Sequence, residues 1–209
     1  MKLNRMIETV EMHTNGRPFR LVTRGLPKLA GATLAERRAW LEHSADHWRR
    51  ALLLAPRGYA GLAGGFLTEP VSAGANLGMV FVDSDGYFEC DDDGVIALAT
   101  VAVALGWVER VAPETRVVID LPGRIAEALV RWDGDHAGAV RLADAQVSAE
   151  AREAYARAVV GAAPGAQRRH GVEPACTTEA QQRTGHARIC GFASWIIDEG
   201  DPFAYGCIV

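Results

Sequence analysis

The sequence predicts an α/β protein in which several short strands surround one central helix. Residues 94–106 are apolar on every side of a helical wheel, which is typical of a helix buried all round. Runs rich in β-branched and aromatic residues are separated by turn sequences such as Asn15-Gly16 and Asp83-Ser84-Asp85-Gly86, as in strands joined by hairpins. With 209 residues, of which 49% are hydrophobic and 23% charged, the chain can bury a core.

Local signals place the elements in order along the chain. Strands are predicted at residues 6–12 and 19–23, on either side of the Asn15-Gly16 turn. Thr33 and Glu36 form a capping box, so a helix is predicted from there to about residue 53, before Pro56-Arg57-Gly58. A more polar helix is predicted at 148–160, followed by a loose segment at 161–180. Further strands are predicted at 66–68, 77–82, 87–90, 116–120, 125–132, 137–142 and 187–197.

Composition and charge exclude several classes of partner. The chain has 22 basic and 26 acidic residues, a formal net charge of -4 and no basic face, so no nucleic acid partner is expected. The longest apolar run, residues 95–108, is too short to span a bilayer, and the first residues lack the apolar segment of a signal peptide. The four cysteines show no CxxC spacing and are expected to be reduced thiols. These features predict a cytoplasmic protein without a membrane partner.

Three consecutive aspartates, Asp91, Asp92 and Asp93, directly precede the apolar helix. The N-terminus of a helix presents four unpaired N–H groups and the positive end of the helix dipole, and both stabilise anions. One aspartate would suffice as a cap. The cluster therefore has two interpretations, a cap with two solvated neighbours or part of a binding or catalytic site, and charge spacing leaves both open.

The other motifs are weaker, and none of them predicts a metal or a cofactor. His43 and His47 have the i, i+4 spacing of metal ligands, but their charged neighbours favour a solvated helix face. The glycine-rich segment 58–65 does not spell the GxGxxG of a dinucleotide site and is interpreted as a turn. Asp83 and Asp85 fit a hairpin better than a calcium loop, because glycine is missing at the sixth position.

Several segments match one protein family in the same order along the chain. They are 13–20 (HTNGRPFR), 56–58 (PRG), 86–87 (GY), 94–100 (GVIALAT), 120–122 (DLP), 184–192 (TGHARICGF) and 201–203 (DPF). Together they resemble the proline racemase family, which includes hydroxyproline epimerases and trans-3-hydroxyproline dehydratases. The resemblance covers residues 6 to about 145 and 184–209.

The resemblance implies a fold of the diaminopimelate-epimerase type, in which two similar α/β lobes hold the substrate between two helix N-termini. Most of the second lobe is missing here, so the expected fold is one α+β lobe with a mostly antiparallel sheet around the central helix. The implied division is an N-terminal lobe at 1–145, a helix and linker at 146–183 in place of the deleted lobe, and a C-terminal strand at 184–209 that returns to the first lobe.

In the family, each lobe carries one cysteine, and the two thiols act as base and acid on opposite faces of Cα. A gap-free match up to Gly94 places Asp91 at the first cysteine, with Asp92 and Asp93 at the following Gly-His. Two-thiol racemisation is therefore not expected. The resemblance implies that Asp91 and Asp93 are catalytic. The substrate-binding residues that it implies are Asp92, Gly94, His13 and Cys90.

Three further positions depart from the family pattern or are ambiguous within it. Arg17 and Ala55 replace glutamates that the family usually has. Cys176 is interpreted as an incidental loop cysteine, and the alternative is a remnant of the second catalytic motif.

The first hypothesis for function is an enzyme that acts on a small amino-acid-derived substrate as a cysteine-independent lyase, isomerase or cyclase, without a cofactor. A carboxylate is a weaker base than a thiolate, so Asp91 would take a proton only from an activated carbon, such as one next to an imine, or hold a charged substrate. A homodimer is expected, in which each chain completes the other's cavity. The alternative is a non-catalytic descendant that binds a small ligand or a protein, and a third reading places a divalent metal at the aspartates.

Overall fold

The computed structural model describes residues 5–89, 91–134, 136–143 and 183–207, without the side chain of Asp133. Within these residues, ten strands form one sheet and three helices pack against it. The strands are β1 (Arg5–Thr14), β2 (Arg17–Arg24), β3 (Ala63–Thr68), β4 (Leu77–Asp83), β5 (Tyr87–Phe88), β6 (Glu114–Leu121), β7 (Arg124–Asp133), β8 (His136–Ala143), β9 (Thr184–Gly185) and β10 (Ala187–Ile197). The helices are α1 (Leu34–Ser44), α2 (His47–Leu53) and α3 (Asp92–Ala104).

The sheet is mostly antiparallel, in the order β10-β1-β2-β3-β4-β6-β7-β8-β9, with β5 paired to β4 outside this path. Two neighbouring pairs, β2–β3 and β4–β6, are parallel. A parallel pair needs a crossover, which α1 and α2 supply between β2 and β3. Only His186 separates β9 from β10, yet these strands pair with β8 and β1 at opposite edges of the sheet. The two edges therefore meet, and the sheet wraps around α3.

The two faces of the sheet belong to two separate cores. Along β4, Met79 and Phe81 pack in the core that contains α3, whereas Val80 and Val82 pack in the core that contains α1 and α2. This alternation follows from the two-residue period of a strand. Every residue of α3 from Asp92 to Val103 is buried. The prediction of one α+β lobe around a central buried helix, with a C-terminal strand returning to it, is confirmed.

The single helix predicted after the capping box is in fact two helices, separated by Ala45 and Asp46. The apolar stripe runs through the break, since Leu41, Ala45 and Trp48 are all buried. Asp46 turns towards α2, where its Oδ1 accepts a hydrogen bond from Arg49 Nε at 2.6 Å. Because the spacing of apolar residues continues across the break, the sequence pattern does not reveal that the helix changes direction.

The glycine-rich segment 58–65 is only partly a turn, because Gly64 and Gly65 are residues of β3. A Cβ on Gly64 would lie 2.6 Å from the carbonyl oxygen of Arg20, and one on Gly65 would lie 2.5 Å from Met79 Sδ. Glycine is required at both positions because a neighbouring backbone or side chain approaches closely.

The two histidines with metal-ligand spacing lie on different helices. His43 Nδ1 lies 2.8 Å from a backbone carbonyl oxygen of α1. His47 packs against Trp48 and Tyr205, with ring centroids 4.5 Å and 5.1 Å apart. The expectation of a shared helix face is wrong, since the break separates the two residues. His43 is exposed, as expected, whereas their neighbour Arg49 is buried.

The predicted helix at 148–160, the loose segment at 161–180 and Cys176 lie outside the described residues. The division of the chain at 1–145, 146–183 and 184–209 therefore stays a prediction. Across the ranges given above, no helix has the length and apolar character needed to cross a membrane.

Candidate functional site

The acidic cluster lies at the N-terminus of α3, where the β1–β2 hairpin reaches the helix. Asp91 is the N-cap, and its Oδ1 accepts a hydrogen bond from the backbone N–H of Asp93 at 3.1 Å. This cap starts the helix at Asp92, two residues before the predicted start at Gly94. Thr14, the last residue of β1, donates its hydroxyl to the carbonyl oxygen of Asp93 at 2.8 Å. The hairpin is thus attached to the first turn of α3.

Residues 91–93 are all buried, with exposed fractions of 3%, 3% and 8%. Buried carboxylates need cationic partners, because an isolated buried charge strongly destabilises the folded state. The fold brings three arginines to the cluster, Arg17 at the start of β2, Arg124 at the start of β7, and Arg183 just before β9. The most enclosed of these pairs joins Arg124 Nη2 to Asp92 Oδ1 at 3.9 Å.

The remaining ion pairs place the carboxylates inside and the guanidiniums outside. Arg17 Nη1 lies 2.8 Å from Asp93 Oδ2 and 3.8 Å from Asp91 Oδ1. Arg183 Nη1 lies 3.3 Å from Asp92 Oδ2. The side chain of Arg17 is 50% exposed and that of Arg183 37%, against 4% for Asp91. A ligand approaching from solvent meets guanidinium groups first, which favours an anionic group such as a carboxylate.

Burial raises the pKa of the Asp91 carboxyl, because the charged form loses its hydration. The guanidinium of Arg17 lowers this pKa, the neighbouring Asp93 raises it, and the backbone N–H groups of Gly94 and Asp93 lower it, with a net shift upwards. A carboxyl with a raised pKa is a stronger proton acceptor than an ordinary aspartate. The site therefore combines a proton acceptor with cationic groups.

The other predicted site residues are not all brought to the cluster. His13 precedes the inward-facing Thr14 on β1, so its side chain points to the opposite face of the sheet, where Nδ1 accepts a turn N–H at 3.2 Å. Gly94 lies in the first turn of α3, but the Phe81 ring fills the place of its missing side chain. Its role in this structure is close packing of the helix on the core. Cys90 lies outside the described residues.

Sequence reasoning found the carboxylates but missed most of their partners. In the sequence, Arg17 stands out only as a departure from the family pattern, and no local pattern marks Thr14, Arg124 or Arg183 as partners of the aspartates. Three acids before a buried helix do indicate that cations must lie nearby. Which cations these are depends on the folded sheet, since Arg183 is separated from Asp92 by 91 positions in the sequence.

The aspartate cluster lies outside two cavities of the fold. A cavity of about 580 Å³ lies beside the ends of β2 and β3, and another of about 780 Å³ lies between β8 and β10, and neither is lined by the aspartates. For the residues that the structure describes, no three His, Cys, Asp or Glu side chains are grouped as a metal site. The aspartates instead make ion pairs with arginines.

Comparison with known proteins matches residues 9–161 to the family described as proline racemase. The trans-3-hydroxy-L-proline dehydratase of Burkholderia cenocepacia is 56% identical over 142 residues, which are 68% of this chain and 42% of that protein. The 3-hydroxyproline 2-epimerase of Burkholderia multivorans is also 56% identical over 142 residues, with the same coverage. The chain thus spans about two fifths of the length of these relatives, 42% in both cases.

Among solved structures, a hydroxyproline epimerase from Agrobacterium vitis with bound trans-4-hydroxy-L-proline has a TM-score of 0.64 to this chain. Its sequence is 24% identical, and the likeness covers 68% of this chain and 42% of that protein. At this identity the likeness concerns the fold alone. Because the family match extends over most of the sequence, this chain belongs to the proline racemase family.

Proposed function

We propose that this chain is a cysteine-independent enzyme of the isomerase or lyase type that acts on a small amino-acid-derived substrate. The observation that carries the proposal is the buried carboxyl of Asp91, whose pKa is raised and whose Oδ1 lies 3.8 Å from Arg17 Nη1. The family resemblance aligns this carboxyl with a catalytic thiol, so Asp91 takes the role of proton acceptor. Relatives named as a dehydratase and a 2-epimerase support this type of chemistry.

The strength of the base restricts the reaction. An aspartate removes a proton only from an activated carbon, such as one next to an imine, because an unactivated C–H bond is far too weak an acid. Racemisation also needs a second group that returns a proton to the opposite face. In a lyase reaction the electron pair left on carbon instead forms a double bond and expels a hydroxyl from the neighbouring carbon, which departs as water with the proton taken up by Asp91. One carboxylate therefore favours elimination over racemisation.

The arginines of the site supply substrate binding in this proposal. Arg17 and Arg183 reach solvent and bind the substrate carboxylate through charge-assisted hydrogen bonds. Asp93 and Asp92 hold these guanidiniums in place at 2.8 Å and 3.3 Å. Asp93, which the resemblance implies to be catalytic, thus acts by positioning Arg17.

Hydrogen exchange in deuterated water tests the enzymatic function. Proline, the hydroxyprolines and their cyclic imines are incubated with the protein, and proton NMR follows exchange at carbon or loss of the hydroxyl. We expect at least one substrate to react, and Asp91→Asn to slow the reaction by about 100-fold or more, as for loss of a general base. Asp85→Asn, in the exposed β4–β5 turn, is the matched control and keeps the rate. A rate unchanged in Asp91→Asn contradicts the proposal.

A second candidate function, binding without catalysis, is favoured by a different observation. Each carboxylate of the cluster lies within 4.0 Å of a guanidinium, so in this function the aspartates only hold the arginines in place for an anionic ligand. The function predicts that Asp91→Asn binds proline and the hydroxyprolines with unchanged affinity, whereas Arg17→Met binds them more weakly. Calorimetry on these two variants, beside the exchange experiment, separates the two functions.

We further propose a homodimer located in the cytoplasm. The dimer is supported by an exposed apolar patch on neighbouring strands, formed by Phe192 (67% exposed) and Ile196 (40%) of β10 and Met6 (54%) of β1. The location is supported by Cys190 and Cys207, which are free thiols. Light scattering that gives the monomer mass at all concentrations would contradict the dimer.

A further inference from the structure

The cavity of about 580 Å³ beside β2 and β3 has the character of a small-molecule site. Its volume is typical of such sites. Its lining joins apolar side chains to polar ones, among which Arg24, Lys28, Arg37 and Glu69 are charged. It lies at the carboxyl ends of the parallel strands β2 and β3, which is where α/β sheets commonly bind ligands. Its apolar walls include Val22, Leu26, Leu29, Leu67 and Leu77.

Among the described polar residues that line this cavity, only Arg37 of α1 is buried, with 7% of its surface exposed. Arg37 Nε donates to the carbonyl oxygen of Gly31 at 3.2 Å. Arg37 Nη1 donates to Thr68 Oγ1 at 2.9 Å and to the carbonyl oxygen of Glu69 at 2.5 Å. All three acceptors are neutral, and none of these bonds uses Nη2. Within the described ranges, the buried guanidinium thus has no carboxylate partner.

The position of Arg37 in the helix adds to the free-energy cost of burying its positive charge. It lies in the first turn of α1, near the positive end of the helix dipole, where a cation is unfavourable. Its acidic neighbour Glu36 is exposed and accepts from the N–H groups of Ala32 and Thr33 in the capping box. A buried cation in such a place destabilises the fold unless an anion joins it. The arrangement therefore calls for an anionic ligand.

The β3–β4 loop, which forms part of the cavity wall, is held in a fixed shape. The carboxylate of the buried Asp120 accepts the N–H groups of Val71 and Ser72 at 2.7 Å and 2.9 Å, which anchors the β3–β4 loop. Asn76, on the same loop, lines the cavity and accepts the N–H of Val118 through Oδ1 at 2.8 Å. The side-chain NH2 of Asn76 is left as a donor. A preformed wall lowers the entropy cost of binding.

We propose that this cavity binds a small organic carboxylate with an apolar body. Arg37 receives the carboxylate, Asn76 donates a further hydrogen bond, and the leucine and valine side chains contact the hydrocarbon part. Arg37 is the only buried charged residue among the described lining residues, since the side chains of Arg24, Lys28 and Glu69 are 80%, 85% and 81% exposed at the rim. One enclosed guanidinium balances one negative charge, which favours a carboxylate over a phosphate. The site uses neither Asp91 nor Arg17, so it goes beyond the proposed function at α3.

A titration of ¹⁵N-labelled protein with benzoate tests the proposal. We expect saturable amide shifts in residues 22–29 and 67–77, none with benzylamine, and only weak shifts with inorganic phosphate. Arg37→Met should weaken benzoate binding at least tenfold, and Arg37→Lys should retain part of it. Leu26→Trp fills the cavity from a partly buried position and should abolish binding while Arg37 stays in place, so it remains informative if Arg37→Met does not fold.

Arg17→Met is the matched control, because it removes a guanidinium from the α3 cluster and should leave these shifts unchanged. Binding that is lost in Arg17→Met but kept in Arg37→Met would overturn the proposal in favour of the α3 site. The absence of saturable shifts in the wild type, or equal binding of benzylamine, would also overturn it. Neither of these last two results bears on the exchange reaction assigned to Asp91.

Discussion

The N-termini of α1 and α3 meet the same requirement, capping of unpaired N–H groups, in different ways. At α1, Thr33 and Glu36 form a reciprocal capping box on the surface. At α3, the cap is the buried carboxyl of Asp91, and arginines from three other segments lie around it and its two neighbours. The start of α1 is thus specified by four consecutive residues. The start of α3 depends on the completed sheet.

The two helix ends also differ in how their charges are matched. The first turn of α3 carries Asp92 and Asp93, which suit the positive helix end and form ion pairs with arginines. The first turn of α1 carries Arg37, which opposes the dipole and bonds only to neutral oxygens among the described residues. The α3 end is balanced by the fold itself. The α1 end leaves a cation for a ligand.

The largest expected effect comes from a methyl group placed at the start of α3. In Gly94→Ala, the new Cβ would overlap the Phe81 ring and lie 2.9 Å from Phe19 Cε2, in a core that cannot yield without moving two aromatic rings. We expect a loss of about 2–3 kcal/mol in the free energy of unfolding, at the upper end for overpacking. Loss of the α1 cap in Thr33→Ala should cost about 1 kcal/mol. Urea unfolding measures both.

Gly86→Ala is the control for the glycine substitution, since nothing lies within 4 Å of a Cβ at that position. It should change the free energy of unfolding by a few tenths of a kcal/mol at most, about the range of a neutral surface substitution. If Gly94→Ala lowered the free energy of unfolding as little as Gly86→Ala does, close packing would not be a difference between the starts of α3 and α1.

The sequence predicts features that depend on neighbours in the chain and misses those that depend on the fold. The Thr33 capping box and the buried α3 were predicted, because a cap and an apolar helix are local patterns. The break at Asp46 was missed because burial continues through it. The pairing of Arg183 with Asp92 was missed because only the closed sheet brings them together. Local sequence patterns therefore locate the candidate site, whereas tertiary contacts decide which arginines pair with its aspartates.

An intermediate effect is expected in the pH dependence of the α3 cap. Because burial raises the pKa of Asp91 above its ordinary 3.8, the folded protein retains a proton that the unfolded chain releases. The stability contributed by this proton is fully present below 3.8 and is lost as the pH rises through the folded-state pKa. Asp91→Asn keeps a cap acceptor but cannot ionise. Its free energy of unfolding, relative to the wild type, should therefore rise as the pH increases through this window, as urea unfolding at several pH values would measure.

Glu127→Gln provides a control of opposite sign. A hydrogen bond from Arg116 lowers the pKa of Glu127 below its ordinary 4.5. The contribution of Glu127 is therefore present above 4.5 and is lost as the pH falls through the folded-state pKa. This variant, relative to the wild type, should become less stable as the pH rises, by a small amount because the Arg116 side chain is 60% exposed. The same slope in both variants would exclude burial as the cause at Asp91.

The smallest expected effect is the coupling between Arg17 and Asp93, at the outer side of the α3 cluster. A double-mutant cycle with Arg17→Met and Asp93→Asn should give a coupling of about 0.5 kcal/mol, since the arginine side chain is 50% exposed. Salt should weaken this coupling. A coupling of zero at low salt would mean that the hairpin holds α3 through Thr14 rather than through charge, and that the two helix ends differ less than their sequences indicate.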